Sequence, residues 1–346
     1  MKKTLALLLA ALMLLALAAC GTTNDTNTEP PAATDPVETE PAATEPADDD
    51  AAGETYVVGI CQQMTHVALD AATQGFKDAL AEILGADAVT YSEGNAGGEQ
   101  PNCVTIVDGL VSEEVDLILA NATWPLQAAA AATGDIPILG TSITDYATAL
   151  NLDGWTGTVG NNISGTSDLA PLDQQAEMIQ ELFPDAANIG LLYCSGEPNS
   201  VYQIETIRGY LEDMGYTCEA YAFTDVNDLS SVTQTACDNS DVIYIPTDNT
   251  AAGNAETIAN VVLAAGVPVV AGESGICSGC GVATLSIDYY DLGWTTGEMA
   301  AKILTGEADV STMAVEYAPN VTKMYNAANC EALGLTMPED YVAIEG

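Results

Sequence analysis

From Tyr56 onward, hydrophobic and polar positions settle into a regular alternation of short apolar runs and longer amphipathic stretches. The short runs, bounded by Gly, Asp or Pro, read as strands; the stretches with apolar residues three and four apart read as helices. In the first half this predicts strands 56–60, 88–91, 116–120 and 136–140, separated by helices 68–84, 102–112 and 125–133. The first helix carries Leu69, Ala72, Phe76, Leu80 and Ile83 on one face. The second half repeats the order, with strands 189–193, 217–223, 241–245 and 267–271 and helices 200–214, 229–237 and 251–265.

The halves agree in detail. Asp116-Leu117-Ile118-Leu119 answers Asp241-Val242-Ile243-Tyr244, and Ile136-Pro137-Ile138 answers Val267-Pro268-Val269. Alternating strands and helices predict an α/β chain of two doubly wound parallel-sheet lobes with helices on both faces. Open sheets of this kind bind ligands beyond the carboxyl ends of their strands, so two lobes imply a cleft between them.

The segment before Tyr56 is different. Met1-Lys2-Lys3 precedes an almost unbroken Leu/Ala run over 4–17, then Leu17-Ala18-Ala19-Cys20-Gly21. The run is short for a bilayer span and its flank is polar. It resembles a bacterial lipoprotein signal with its lipobox, which implies a signal peptide over 1–19, cleavage before Cys20 and lipidation of that thiol. Dual acyl chains anchor a protein stably. Residues 20–54 would then be the lipidated Cys and an acidic Pro/Thr tether with no basic residue, unable to bury enough surface to fold.

Composition narrows the chemistry. The 346-residue chain has 6 Lys+Arg against 50 Asp+Glu and one His, a formal net charge of −44. That balance excludes a phosphate-backbone binder, so no nucleic-acid partner is expected. A hydrophobic share of 48% with this charge suits a packed core under a solvated acidic surface. One His leaves little room for a metal centre or a choice of imidazole bases. A Ser-His-Asp site would need His66, and there is no Gly-x-Ser-x-Gly elbow. No enzyme, metal or cofactor is therefore expected. Past Cys20 there are eight Cys, an even number that permits disulfides or free thiols; Cys277-Ser278-Gly279-Cys280 has no second such pair and reads as a local staple or two thiols.

The interlobe loops carry a resemblance. HVALDAATQGF (66–76), GTSDLAPLDQQ (165–175), SGEPNSVYQIE (195–205), IPTDNT (245–250), VPVVAGE (267–273) and IDYYDLGWTTGEMAAKIL (287–304) resemble the type I periplasmic-binding family of ABC-transporter substrate-binding lipoproteins, in the branch that binds tryptophan, tyrosine or phenylalanine. The resemblance implies a monomer on the outer face of the cell membrane that captures an amino acid by lobe closure. It would deliver that solute to ABC permease subunits and their ATPase. It also implies hinge crossovers, with a first lobe of 55–162 plus about 289–318 and a second of 163–288 plus about 319–346. The chain departs from the branch at Trp124, at Tyr146 and at Cys194-Ser195-Gly196-Glu197. A sugar or nucleoside ligand, or a sensor presenting its closed form to a receptor, are the alternative readings.

The residues of the expected cleft suggest a zwitterion. Lys77, Arg208, Lys302 and Lys323 fall outside the strand-end loops, so an anionic ligand would lack an Arg clamp. Thr123, Thr141, Ser200 and Thr247 are candidate donors to a carboxylate, with helix N-termini beside them. Asp168, Asp248, Glu273 and Asp288 are candidate acceptors for an ammonium, and Asp248 with Asp288 is the expected leading pair. His66, Asp145, Asn199 and Asn249 complete the candidate set, and Trp124 would border the side-chain end.

Overall fold

The computed structural model describes residues 55–318 and 320–344; the expected signal peptide, Cys20 and the tether lie outside the described residues. The first half runs β1 (Tyr56–Gln62), α1 (Val67–Leu84), β2 (Val89–Asn95), α2 (Gln100–Ser112), β3 (Leu117–Asn121), α3 (Thr123–Ala132), β4 (Ile138–Ile143), α4 (Tyr146–Leu150) and β5 (Ile163–Ser167). The second runs α5 (Leu172–Leu182), β6 (Asn188–Cys194), α6 (Pro198–Asp213), β7 (Thr217–Phe223), α7 (Val226–Asn239), β8 (Val242–Ile245), α8 (Asn249–Ala252), α9 (Ala255–Ala265), β9 (Val269–Ala271), α10 (Ser274–Gly279) and β10 (Ala283–Ser286). The tail adds α11 (Tyr289–Leu304), β11 (Glu316–Tyr317), β12 (Thr322–Tyr325), α12 (Ala327–Leu333) and β13 (Val342–Ala343).

Two sheets result, ordered β11-β5-β4-β3-β1-β2 and β13-β12-β10-β9-β8-β6-β7. The repeated order is what the internal sequence echo predicts. Pairing is parallel except where β12 meets β10, and β3, β4, β8 and β9 are buried at every position. Such strands read as continuous apolar runs because helices cover both faces. Each sheet has a core on either side, around Leu126 and Ile138 or Phe76 and Leu119 in the first lobe, and around Phe223 and Ile258 or Ile207 and Val282 in the second.

Local chemistry sets the element ends. Pro101 and Pro198 stand in the first turns of α2 and α6, where a missing N–H is harmless. Asp225 and Asp228 form a reciprocal capping box on α7. Two expectations need correction. The helix expected over 251–265 is interrupted at Gly253-Asn254, giving α8 and α9. The lobe boundary expected at 162 falls later, because β5 pairs with β4 and extends the first sheet to Ser167.

The chain passes between lobes after β5, between β10 and α11, and between β11 and β12. At the middle crossing α11 returns to pack along α1, and the approach is glycine-close: a Cβ on Gly293 would lie 1.9 Å from the Ala72 carbonyl oxygen, and one on Gly75 2.1 Å from that of Tyr290.

Candidate functional site

Every strand of both parallel sets ends toward the seam between the lobes, so the loops that follow them meet there. Several contacts cross it. His66 Nε2 lies 3.1 Å from Asn249 Oδ1. Trp124 packs over Gly196, with Cζ2 3.9 Å from where a Cβ would stand, and Met64 occupies the space beside Gly253. Next to them lies an interlobe cavity of about 590 Å³, lined by Met64, Pro101, Trp124, Cys194, Gly196 and Thr224 among others.

Glu197 organises the second-lobe wall. Its carboxylate is fully buried and accepts from Asn249 N (3.1 Å), Asn249 Nδ2 (2.7 Å), Thr250 N (2.8 Å), Thr250 Oγ1 (2.6 Å) and Asn199 Nδ2 (3.3 Å). A carboxylate supplies about four lone-pair sites, so this one is saturated. It thereby orients two amides. Asn199 Nδ2 also donates to the Thr247 carbonyl, leaving Asn199 Oδ1 buried with no partner.

The first-lobe wall is built alike. Gln63, 1% exposed, accepts from Trp124 N through Oε1, which leaves its Nε2 as a buried donor without a partner. Ser142, at the end of β4, has φ +56 and an unpartnered buried Oγ. Ala122, just before α3, has φ +91. Left-handed backbone at non-glycine residues costs about 1–3 kcal/mol and concentrates at functional sites.

The acidic candidates Asp248, Glu273 and Asp288 hold helix N-termini. Asp248 Oδ1 accepts from Ala251 N and Oδ2 from Cys194 N, and Ser200 also hydrogen-bonds to it. Burial, then the neighbouring Glu197 charge, pushes its carboxyl up to about 7. Glu273 caps α10 through Gly275 and Ile276 N–H groups, and burial raises its pKa. Asp288 is exposed and caps α11. In the expected Asp248–Asp288 pair, Asp248 is buried against N–H groups of its own lobe and Asp288 is exposed at the start of α11. The Thr141 hydroxyl joins Thr166 and Thr296 inside the first lobe. Asp145 caps α4. Thr247 lends its backbone to Asn199 and Gln203, and its side chain reaches Tyr289. Thr123 is buried in the first turn of α3 beside Trp124. His66, Trp124, Asn199 and Asn249 are the candidates that meet at the seam.

Asp168 holds the first crossing. Buried at the exit of β5, it accepts from Thr144 Oγ1 and from Tyr289 OH, each at 3.0 Å, tying the first lobe to the start of α11. Burial lifts its pKa from 3.8 to about 6, with the two hydroxyls opposing. A carboxyl whose folded pKa is raised contributes stability that is present below about pH 4 and lost as pH rises through about 6. The shift corresponds to about 3 kcal/mol. Subtracting Asp168→Asn from wild type should therefore give an unfolding free-energy difference that falls between about pH 4 and pH 7, read by denaturant melts. A difference flat with pH would place the carboxyl in contact with water.

Sequence reasoning missed Gln63, Ser142 and Glu197. Gln63 follows the first strand directly, and that position was its only signal. Glu197 sat in a noticed loop, but nothing local marks it as the hub for residues fifty positions on.

The eight described Cys are thiols. The chain also matches known proteins. The model for the family described as ABC transporter substrate binding protein matches residues 57–344. A tyrosine-binding protein of Clostridioides difficile (strain R20291) is 32% identical over 253 residues, 72% of this chain and 73% of that protein. A Streptococcus pneumonia ABC domain solved in complex with L-Trp is 32% identical with a TM-score of 0.79, covering 83% of this chain and 97% of that one. The ligand-free, open structure of a Clostridium difficile substrate binding protein with adhesive properties is 33% identical, with a TM-score of 0.65 over 84% of this chain and 99% of that one.

Proposed function

This chain belongs to the ABC transporter substrate-binding protein family, and from that premise we propose that it captures an aromatic amino acid in the interlobe seam and delivers it to a membrane permease. As a family member it is an extracytoplasmic solute-binding protein and not an enzyme. The observation that carries the ligand reading is the set of buried, unpartnered polar atoms at the seam: Gln63 Nε2 as donor, Asn199 Oδ1 as acceptor and Ser142 Oγ as either. Neighbouring hydrogen bonds hold both amides in one orientation, so the donor suits a carboxylate and the acceptor an ammonium. No basic side chain among the described residues lines the cavity. A zwitterion answers both atoms with charge-assisted hydrogen bonds, which a sugar hydroxyl does not supply, and the cavity wall of Met64, Trp124 and Cys194 suits an aromatic ring.

The lobe arrangement supports capture by closure. At 32% and 33% identity respectively, the chain superposes better on the relative holding L-Trp than on the open, ligand-free one. In a thermal-shift screen of L-tyrosine, L-tryptophan, L-phenylalanine, ribose and galactose, an aromatic amino acid should raise the midpoint. Ligand at a hundredfold excess over Kd adds about 2.7 kcal/mol of stability. A shift by a sugar and by no amino acid would reverse the assignment.

The lipid anchor belongs to the same proposal. The Leu/Ala run and the Leu17-Ala18-Ala19-Cys20 sequence support processing at Cys20. Cys20→Ala should leave an uncleaved precursor or release the protein to the medium in a membrane fractionation; wild type found soluble with another N-terminus would refute it.

A further inference from the structure

His66 is the single histidine of the chain. It occupies the N-cap position of α1 in extended backbone, φ −162 and ψ 165, yet its side chain does not cap the helix. The ring instead bridges the seam to Asn249. The role of each atom in that bridge follows from its neighbours. Asn249 Nδ2 donates to Glu197 Oε2, so the Oδ1 that faces His66 can only accept. The proton of a neutral His66 ring is therefore on Nε2. Nδ1 is then a bare lone pair, and it is buried with no partner. A ring protonated on both nitrogens would also lack a partner there. Glu273, the neighbouring charge, accepts from the N–H groups of Gly275 and Ile276, and neither of its oxygens is bonded to His66 Nδ1.

We infer that His66 determines specificity with two opposite duties: Nε2–H fastens the first lobe to Asn249 of the second, and Nδ1 accepts a hydrogen bond from the ammonium of the bound amino acid. The inference rests on the reading of the seam as an amino-acid site and deepens it. The Asn249 acceptor is available only with the lobes together, and the orphaned lone pair is answered by a ligand that donates. One ring thus couples closure to recognition of the amino group. A carboxylate ligand of the same shape without that group leaves Nδ1 buried and unpaired, an expensive state for a hydrogen-bonding atom. The same ring discriminates against sugars less sharply, since a hydroxyl can also donate, but it favours a charged donor.

A single histidine makes the test direct. Protein labelled with ¹⁵N-histidine gives one imidazole spectrum, in which the protonated and bare nitrogens are well separated. Adding L-phenylalanine should fix the proton on Nε2 and move the Nδ1 resonance toward that of a hydrogen-bonded acceptor. Adding 3-phenylpropionate, its des-amino analogue, should not move Nδ1. In calorimetry, His66→Phe should weaken L-phenylalanine by about 10- to 100-fold, the span for a hydrogen bond to a charged group, and weaken the analogue by much less. A bound state with the proton on Nδ1, or an imidazole spectrum blind to a ligand that releases heat, would overturn the inference and leave the seam reading standing. Equal losses for amino acid and analogue would do the same. Absence of heat with every amino acid would overturn the seam reading first, and this inference with it.

Discussion

Glu197→Gln should weaken binding of the aromatic amino acid by about 10- to 100-fold while the protein stays folded. A glutamine keeps the shape of the side chain but replaces one acceptor oxygen with an NH₂. Four of the five groups around that carboxylate are N–H donors, on Asn249, Thr250 and Asn199, and only the Thr250 hydroxyl can turn to accept. At least one N–H is therefore set against another donor, a loss of about 1–3 kcal/mol per buried group. The rearrangement that relieves it turns the amides of Asn199 or Asn249, presenting NH₂ where the ligand and His66 need oxygen. At about 1.4 kcal/mol per decade, that loss appears mainly as affinity. Calorimetric titration alongside a melting curve separates the two effects. Affinity within twofold of wild type, with an intact melt, would show that the amides need no carboxylate to orient them.

Gly293→Ala should lower the melting temperature strongly, whereas Gly109→Ala should raise it slightly. Both sit inside helices, α11 and α2, where alanine is favoured over glycine by about 0.5–1 kcal/mol. They differ in what surrounds them. A Cβ on Gly109 meets nothing within 4 Å, while one on Gly293 lies 1.9 Å from the backbone oxygen of Ala72. Backbone cannot swing aside like a side chain, so α11 must lift from α1. That separation disturbs the packing of Leu292 and Tyr289 at the crossing, at an expected net cost of about 3 kcal/mol or more. In a chain of this size the midpoint should fall by roughly 6–12 °C. A Gly293→Ala melt as high as that of Gly109→Ala would mean that the two helices are not in close contact in solution.

The amino-acid sequence by itself determined the layering. Strands buried on both faces must be apolar throughout, and helices against a sheet must be apolar on one side, so β3, β4, β8 and β9 and the helices between the strands leave local patterns. The echo between 116–119 and 241–244 reveals the second lobe by the same physics. β5 escaped because its Ser, Gly and Thr residues carry no such pattern; it is a strand through pairing with β4, where Gly165 admits close approach to the Gly140 oxygen. The break between α8 and α9 escaped because apolar periodicity continues across Gly253.

The site divides along the same line. That strand-end loops face a cleft follows from the alternation of elements, and His66, Trp124, Asn199 and Asn249 stand in those loops. The charges misled. An Asp or Glu before a helix has the same local sequence whether it meets a ligand or caps the helix, and Asp248, Glu273 and Asp288 all cap. Only the tertiary structure shows what each of them meets. A carboxylate is spent or free according to which N–H groups lie around it, and at Glu197 most of those groups arrive from a loop some fifty residues further along the chain. The atoms left over, on Gln63, Ser142, Asn199 and His66, acquire meaning only after every nearer partner has been counted.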